Sequence, residues 1–460
     1  MIQPAQIQTI VQNQRTFFHS GATLAYEFRL KALKDLKEGI RQREASFRDA
    51  LKADLGKPEY ESYVTETGFI LHELTQTMKK LRRWMGSRWR PTPLYLLPGS
   101  SQTLYSPLGV NLIISPFNYP MQLCMAPLIA AIAAGNTAVI KTSELTPAVG
   151  AVIQDLVQAV FTPEFVAFIP GEVRETKMLL EQKFDHIFFT GSPRVGAIVM
   201  AAAAPHLTPV TLELGGKTPC IVHSDAKLSP AIQRIVYGKF INAGQTCVAP
   251  DYILVHKSLE TQFIQKITDR IRSLYGPDPL QSPDLGRIVN IDHFKRLVAL
   301  IDPAKVVIGG THSEADRFIA PTVMSGVSLD DKIMADEIFG PILPVMTYDS
   351  LDQAEKIIAA LPRHPLALYL FTQDRGLSKD MMTRLSFGGG CINHCIQHLA
   401  NPYLPFGGHG GSGMGQYHGF DGFAQFSHKK GIYKAPSWGD LPLIYPPYRG
   451  KLKWIKTLFR

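Results

Sequence analysis

The twenty residues 121–140, MQLCMAPLIAAIAAGNTAVI, decide what kind of protein this is. A run so long and apolar is sufficient to cross a bilayer as a helix. Pro127, Gly135 and Asn136 divide it, and a short β-type run restarts at Thr137-Ala138-Val139-Ile140. The pattern therefore predicts helix, turn and buried strand rather than a membrane span. Its neighbours repeat the rhythm: residues 109–114, 166–169 and 186–189 are further short apolar strands with helical pattern between them. Strands and helices alternating at this pitch predict a parallel, doubly wound α/β sheet. A second such series runs from Val210 to about 390, and a Gly-rich stretch, 406–415, closes it. Ahead of both, residues 20–90 read as helix, with Leu33, Leu36 and Ile40 at helical spacing and a break at Gly56-Lys57-Pro58.

A chain of 460 residues is too long for one simple core and fits two or three domains. Forty-five per cent hydrophobic and 19% charged residues exclude a disordered chain. Five cysteines make no disulfide framework, which points to a reducing, cytoplasmic compartment. The start, Met1-Ile2-Gln3-Pro4-Ala5-Gln6, lacks the basic-then-apolar pattern of a signal peptide. The net charge of +9 is scattered and no recognition motif accompanies it, so a nucleic-acid partner is not expected. Attraction for an acidic cofactor or an anionic membrane face accounts for it.

Five places in the pattern suit chemistry, each with an ordinary alternative. Cys247 lies in the loop Ala243-Gly244-Gln245-Thr246-Cys247-Val248-Ala249-Pro250, between a helical pattern (Ile232, Ile235, Val236, Phe240) and a strand at 252–255. A lone Cys is commonly a small buried hydrophobe, yet a loop between regular elements is where nucleophiles sit. Glu213 interrupts the strand Val210-Thr211-Leu212-Glu213-Leu214 and faces opposite its apolar residues, before Gly215-Gly216-Lys217. That setting suits a general base of raised pKa; the alternative is a solvated strand-end carboxylate. Asn118 tops the turn Ser115-Pro116-Phe117-Asn118-Tyr119-Pro120, either stabilising an oxyanion or satisfying its own turn. Lys141 and Glu144 follow the strand that ends at Ile140, where a carboxyl end can receive an adenosine ribose. There the alternative is a helix capped by Thr142 or Ser143 with Glu144 in its first turn. Last, Gly191-Ser192-Pro193-Arg194-Val195-Gly196 leads from a strand into a helix over 197–204, either a pyrophosphate seat or a plain βα turn.

Taken together these motifs resemble the aldehyde dehydrogenase superfamily, over roughly residues 15–445 and in the family's order. The resemblance rests on 240–251, Leu212-Glu213-Leu214-Gly215-Gly216-Lys217, Pro116-Phe117-Asn118-Tyr119-Pro120 and Glu337-Ile338-Phe339-Gly340-Pro341. Residues 244–252, 207–213 and Leu404-Pro405-Phe406-Gly407-Gly408 look most like its class 3 branch. It implies a Rossmann-like NAD(P)-binding domain (1–90 and 104–209), a catalytic domain (210–390), a small β oligomerisation flap (91–103 and 391–445) and a tail (446–460). It also implies a homodimer and the oxidation of medium-to-long aliphatic or aromatic aldehydes to acids. In that scheme Cys247 is the nucleophile, Asn118 and the Cys247 N–H hold the oxyanion, and Glu213 activates the hydrolytic water. Lys141 and Glu144 would hold the adenosine ribose, Gly191 and Gly196 let the backbone approach the cofactor, and Glu337 and Phe339 position the nicotinamide riboside. Glu144 should repel a 2′-phosphate and Lys141 partly compensate, giving NAD preference with some NADP use. The rivals are a coenzyme-A-acylating enzyme on the same fold, against which Glu213 argues, and a non-catalytic cofactor-binding relative.

Two segments stand outside that scheme. Cys391, His394, Cys395 and His398 would share one face on a helix and form a zinc ligand set; on a strand they would point to opposite sides. The preceding Gly388-Gly389-Gly390 favours extended chain and no metal. The tail from Tyr448 mixes Arg449, Lys451, Lys453 and Lys456 with Trp454 and aliphatics, suiting contact with an anionic membrane surface or simple solvation.

Overall fold

The computed structural model describes residues 2–361 and 364–459. The decisive stretch folds as expected. A helix, Gln122–Ala134, is buried along its whole length and ends at Gly135, whose φ of 92° is the left-handed cap that glycine adopts without strain. Strand Thr137–Lys141 follows, buried throughout. Pro127 does not divide the helix as expected but sits inside it. A proline there forfeits about 3 kcal/mol of helix propensity. Burial of Leu123, Leu128, Ile129 and Ile132 around it offsets that loss.

The α/β reading holds in both halves. The first sheet runs in the order Gly413–Met414, Val210–Leu214, His186–Gly191, Val110–Ile114, Thr137–Lys141, Val166–Phe168. Its five longer strands are parallel and the Gly413–Met414 edge is antiparallel. The second runs Val306–Ile308, Thr322–Met324, Ile342–Tyr348, Tyr252–His256, Pro219–Val222, Ala367–Phe371, Gly389–Ile392, parallel except for its first strand. The third sheet, Arg88–Arg90, Ser100–Pro107 and Ser427–Lys434, is antiparallel. One apolar core joins the first two sheets, with Ile113, Ile140 and Phe188 on one side and Ile253, Val345 and Phe371 on the other.

Sheet membership crosses the expected domain boundaries. Val210–Leu214, expected to open the catalytic segment, pairs with His186–Gly191 in the first sheet. Gly413–Met414, placed by expectation in the flap, instead closes the edge of the first sheet beside Glu213. The third sheet takes strands 88–90, 100–107 and 427–434, which overlap the expected flap segments 91–103 and 391–445 in part. Local pattern cannot show the pairings of Gly413–Met414 and Ser427–Lys434, because their partners lie 200 or more residues away along the chain. The tail forms a short helix, Leu452–Leu458, and Phe459 rests against Tyr95 with ring centroids 4.8 Å apart.

Candidate active site

Helix Leu228–Phe240 delivers the chain to Cys247 through an unusual turn. Asn242, Ala243 and Gly244 all adopt positive φ (53°, 52° and 74°). At Gly244 a Cβ would lie 2.3 Å from the Gly340 carbonyl oxygen, so only glycine fits. The strain at Asn242 and Ala243 is held by side chains. Asn242 donates its N–H to Glu61 (2.9 Å) and its amide to the Asn118 carbonyl (2.8 Å). Gln245 is bonded to Arg287 O (2.9 Å) and to the Val289 N–H (3.0 Å). Tyr369 fixes the far side by donating to Val248 O at 2.6 Å. Cys247 is thereby presented, partly exposed, in a cavity of about 240 Å³.

Burial, then the nearby Glu337 and Glu213, pushes the Cys247 thiol up to about 12. The N–H groups of Cys247 and Val248 act the other way, favouring the thiolate. Glu213 is only 3% exposed, and neither carboxylate oxygen has a hydrogen-bond partner. Its pKa lies well above the ordinary carboxylate range because burial disfavours the charge. A solvated strand-end carboxylate is thus excluded. Asn118 is buried as well and donates its side-chain amide to Gln245 O at 3.0 Å, so the amide plane is locked to the Cys247 loop and does not satisfy its own turn.

Behind Asn118 lies a constellation the sequence reading missed. Lys57 and Glu66 form a fully buried ion pair at 2.6 Å. Lys57 also donates to Asn118 O (3.3 Å) and sits over the Tyr119 ring, and Tyr119 shares a 2.6 Å bond with Thr246. Only Gly56-Lys57-Pro58 hinted at it, and that signal reads as a helix stop. A second pair, Lys217 and Asp251 (2.6 Å), bonds Ile333 O, Asp336 O and the Ile338 N–H, fixing the loop that carries Glu337 and Phe339. Glu337 lies in the space a side chain at Gly215 would fill, where a Cβ would stand 1.9 Å from its Oε2. Burial and then Asp251 raise its pKa to about 8. Phe339, at φ 52°, meets Phe117 edge to face.

Lys141 is buried and bonds Thr142 O (2.5 Å) and Glu144 (3.4 Å). The alternative of a helix capped by Thr142 or Ser143 does not hold. Ser143 turns back to accept the Leu145 N–H, and the helix begins at Pro147, with Asp54 accepting the N–H groups of Ala148 and Val149. At the Gly191 turn, the helix spans Pro193–Ala203, four residues earlier than expected, because Ser192 caps it. The Gly196 N–H is spent on Ser192 O, and a Cβ at this position would stand 2.8 Å from Leu214 Cδ2, so glycine lets the helix pack closely on that side chain. Gly196 therefore brings the helix start close to the sheet rather than offering a free N–H. Carboxyl ends of parallel strands, a buried ammonium beside Glu144, and Glu337 seated against glycine fit a dinucleotide.

Cys391 is on a strand, Gly389–Ile392, and the chain then turns at Asn393 and Ile396, both at positive φ. Cys391 approaches His398 at 3.5 Å, whereas Cys395 is buried beside Cys220. The four side chains do not converge, and among the described residues no group of His, Cys, Asp and Glu is placed to hold a metal.

Comparison with known proteins agrees with this geometry. The aldehyde dehydrogenase family model matches residues 1–432. The 4,4′-diaponeurosporen-aldehyde dehydrogenase of Staphylococcus aureus is 47% identical over 97% of this chain and 98% of its own. Aldehyde dehydrogenase family 3 member H1 of Arabidopsis thaliana is 44% identical over 99% and 95%. The substrate-bound structure of Staphylococcus aureus AldH superposes with a TM-score of 0.97 at 46% identity, covering 99% of both chains. With the fold and motifs agreeing along almost the whole chain, it belongs to the aldehyde dehydrogenase family, class 3-like, and is an NAD(P)-dependent oxidoreductase that converts aldehydes to carboxylic acids.

Proposed function

We propose that Cys247 attacks the aldehyde carbonyl, that the Asn118 amide and the Cys247 N–H hold the oxyanion, and that Glu213 activates water against the resulting thioester. Glu213 carries this reading: a buried carboxyl with two unpartnered oxygens, within electrostatic reach of Cys247, serves no structural bond. The Cys247 thiol first gives its proton to solvent water; the thiolate then forms a C–S bond as the C=O π pair moves onto the carbonyl oxygen, which takes the negative charge. NAD(P), when bound, supplies the hydride acceptor. Lys141 and Glu144 would hold its adenosine ribose, Gly191 its approach to the backbone, and Glu337 and Phe339 its nicotinamide end. Glu213 then removes a proton from water as the new C–O bond forms, and the acid leaves with the thiolate regenerated. Both Cys247 and Glu213 have raised pKa values and both must ionise. Activity should therefore rise from neutral to alkaline pH. A kcat/KM profile that falls over that range opposes the assignment.

The same proposal takes medium-to-long aliphatic or aromatic aldehydes as substrates. Val64, Phe69, Leu123, Ile396, Leu399 and Phe406 give the cavity an apolar wall, and one relative is named for 4,4′-diaponeurosporen-aldehyde. A panel of aldehydes tests it: kcat/KM should climb with chain length, and a flat or falling series refutes the assignment.

Dimerisation and membrane contact belong to the flap and tail. Strand Ser427–Lys434 is exposed along nearly all its length and leaves one edge open, a template for a second copy. Among the described residues no helix is long and apolar enough to cross a membrane. After Asp440 the sequence has no Asp or Glu but carries Arg449, Lys451, Lys453, Lys456 and Arg460. Trp438, Tyr448, Trp454 and Phe459 are well exposed among them. Such a surface suits the anionic face of a bilayer from the cytoplasmic side. Truncation after Pro447 should abolish co-sedimentation with anionic liposomes and leave turnover of a short soluble aldehyde intact; unchanged sedimentation removes the idea.

A further inference from the structure

We infer that Glu172 is a second determinant of cofactor choice, a carboxylate that disfavours a 2′-phosphate on the adenosine ribose. The inference rests on the ribose lying at Lys141 and Glu144, as proposed above. It concerns a residue on the neighbouring strand connection that no motif singled out.

Strands Thr137–Lys141 and Val166–Phe168 are parallel neighbours, with Ile140 beside Phe168 and the Ile169 N–H donating to Ile140 O at 2.9 Å. Both chains leave the sheet at the same edge. The second then turns through Gly171, at φ 144°, where a Cβ would lie 2.3 Å from Glu175 Cγ. Glu172 follows, four residues beyond the end of its strand, and caps helix Val173–Leu180. The cap is reciprocal: the Glu172 carboxylate accepts the Glu175 N–H, and Glu175 accepts the Glu172 N–H at 2.9 Å. Each carboxylate is tied to backbone, so neither is free to swing aside.

The buried Lys141 ammonium registers all three carboxylates. Burial lowers its pKa, and Glu144, Glu175 and Glu172 act in the opposite sense. Arg174, on the same turn, interacts with Glu175 and offsets part of the field. Carboxylates still outnumber cations around the ribose edge. A 2′-phosphate would bring nearly two further negative charges into this field. Glu172 is exposed, so water and salt screen it, and the penalty is modest. Neutralising it should favour a 2′-phosphorylated ligand about two- to five-fold at low salt, and reversing its sign roughly ten-fold.

The test is calorimetric binding of adenosine 5′-monophosphate and adenosine 2′,5′-bisphosphate to the full chain, for wild type, Glu172→Gln, Glu172→Lys and Glu144→Gln. Glu172→Gln keeps a capping acceptor, and thermal melting checks that each variant is folded. The affinity ratio of bisphosphate to monophosphate should rise in both Glu172 variants, more in Glu172→Lys, with the gain fading at high salt. A ratio unchanged by both Glu172 variants, while Glu144→Gln shifts it, overturns the role of Glu172 alone. If Glu144→Gln also leaves the ratio and the monophosphate affinity untouched, the placement of the ribose falls with it.

Discussion

Glu213→Gln should give a pre-steady-state burst of NADH comparable to wild type, followed by turnover lower by about 10²- to 10⁴-fold. The amide is nearly isosteric and removes only the capacity to take a proton. Because both Glu213 oxygens are unpartnered, no hydrogen bond in the fold is lost with the charge. Acylation and hydride departure need Cys247 and Asn118 but no base acting on water, so the first turnover survives. Stopped-flow fluorescence with NAD and a medium-chain aldehyde reads both phases. Intact-mass measurement should find the acyl group on the enzyme. A variant that loses the burst as well, with slowed alkylation of the Cys247 thiol, would show that Glu213 acts before hydrolysis. Turnover restored by coenzyme A would bring the acylating rival back.

Lys57→Met should be the most damaging change outside the cavity. Both members of the Lys57–Glu66 pair are fully buried, and Glu66 also accepts the Gln122 N–H at 2.8 Å. Removing one partner of a buried pair costs about 3–5 kcal/mol, because the other is left uncompensated. In a chain of this size that lowers the melting midpoint by roughly 3–5 °C. Activity should fall too, since Lys57 supports Asn118 O and with it the amide bonded to the Cys247 loop at Gln245 O. The double variant Lys57→Met/Glu66→Leu separates the two effects. Stability should largely return while kcat stays low. If kcat recovers together with the melting temperature, Lys57 is only a packing residue and its link to Asn118 has no catalytic weight.

Much of this was legible in the chain. Gly135 after twelve apolar residues announced the end of a buried helix, since only glycine takes the left-handed cap without strain. The strand containing Glu213 was visible from alternation, and the isolation of one carboxylate on it from the same pattern. Other features were hidden. Pro127 read as a breaker because propensity does not know how deeply its helix is packed. Thr142 and Ser143 read as caps because nothing local reveals that Asp54, far up the chain, takes that role.

The sequence by itself determined the fold class and the family and singled out Cys247, Glu213 and Asn118 as candidates, because those rest on residue type, periodicity and motifs in order. Tertiary structure alone decided the rest: that Gly413–Met414 pairs beside Glu213, that Lys57 reaches Asn118, and that Glu172 comes within electrostatic reach of Lys141. The physical reason is common to all three. Burial, pairing and charge fields depend on groups brought together across tens to hundreds of residues, and no local window of sequence contains both partners.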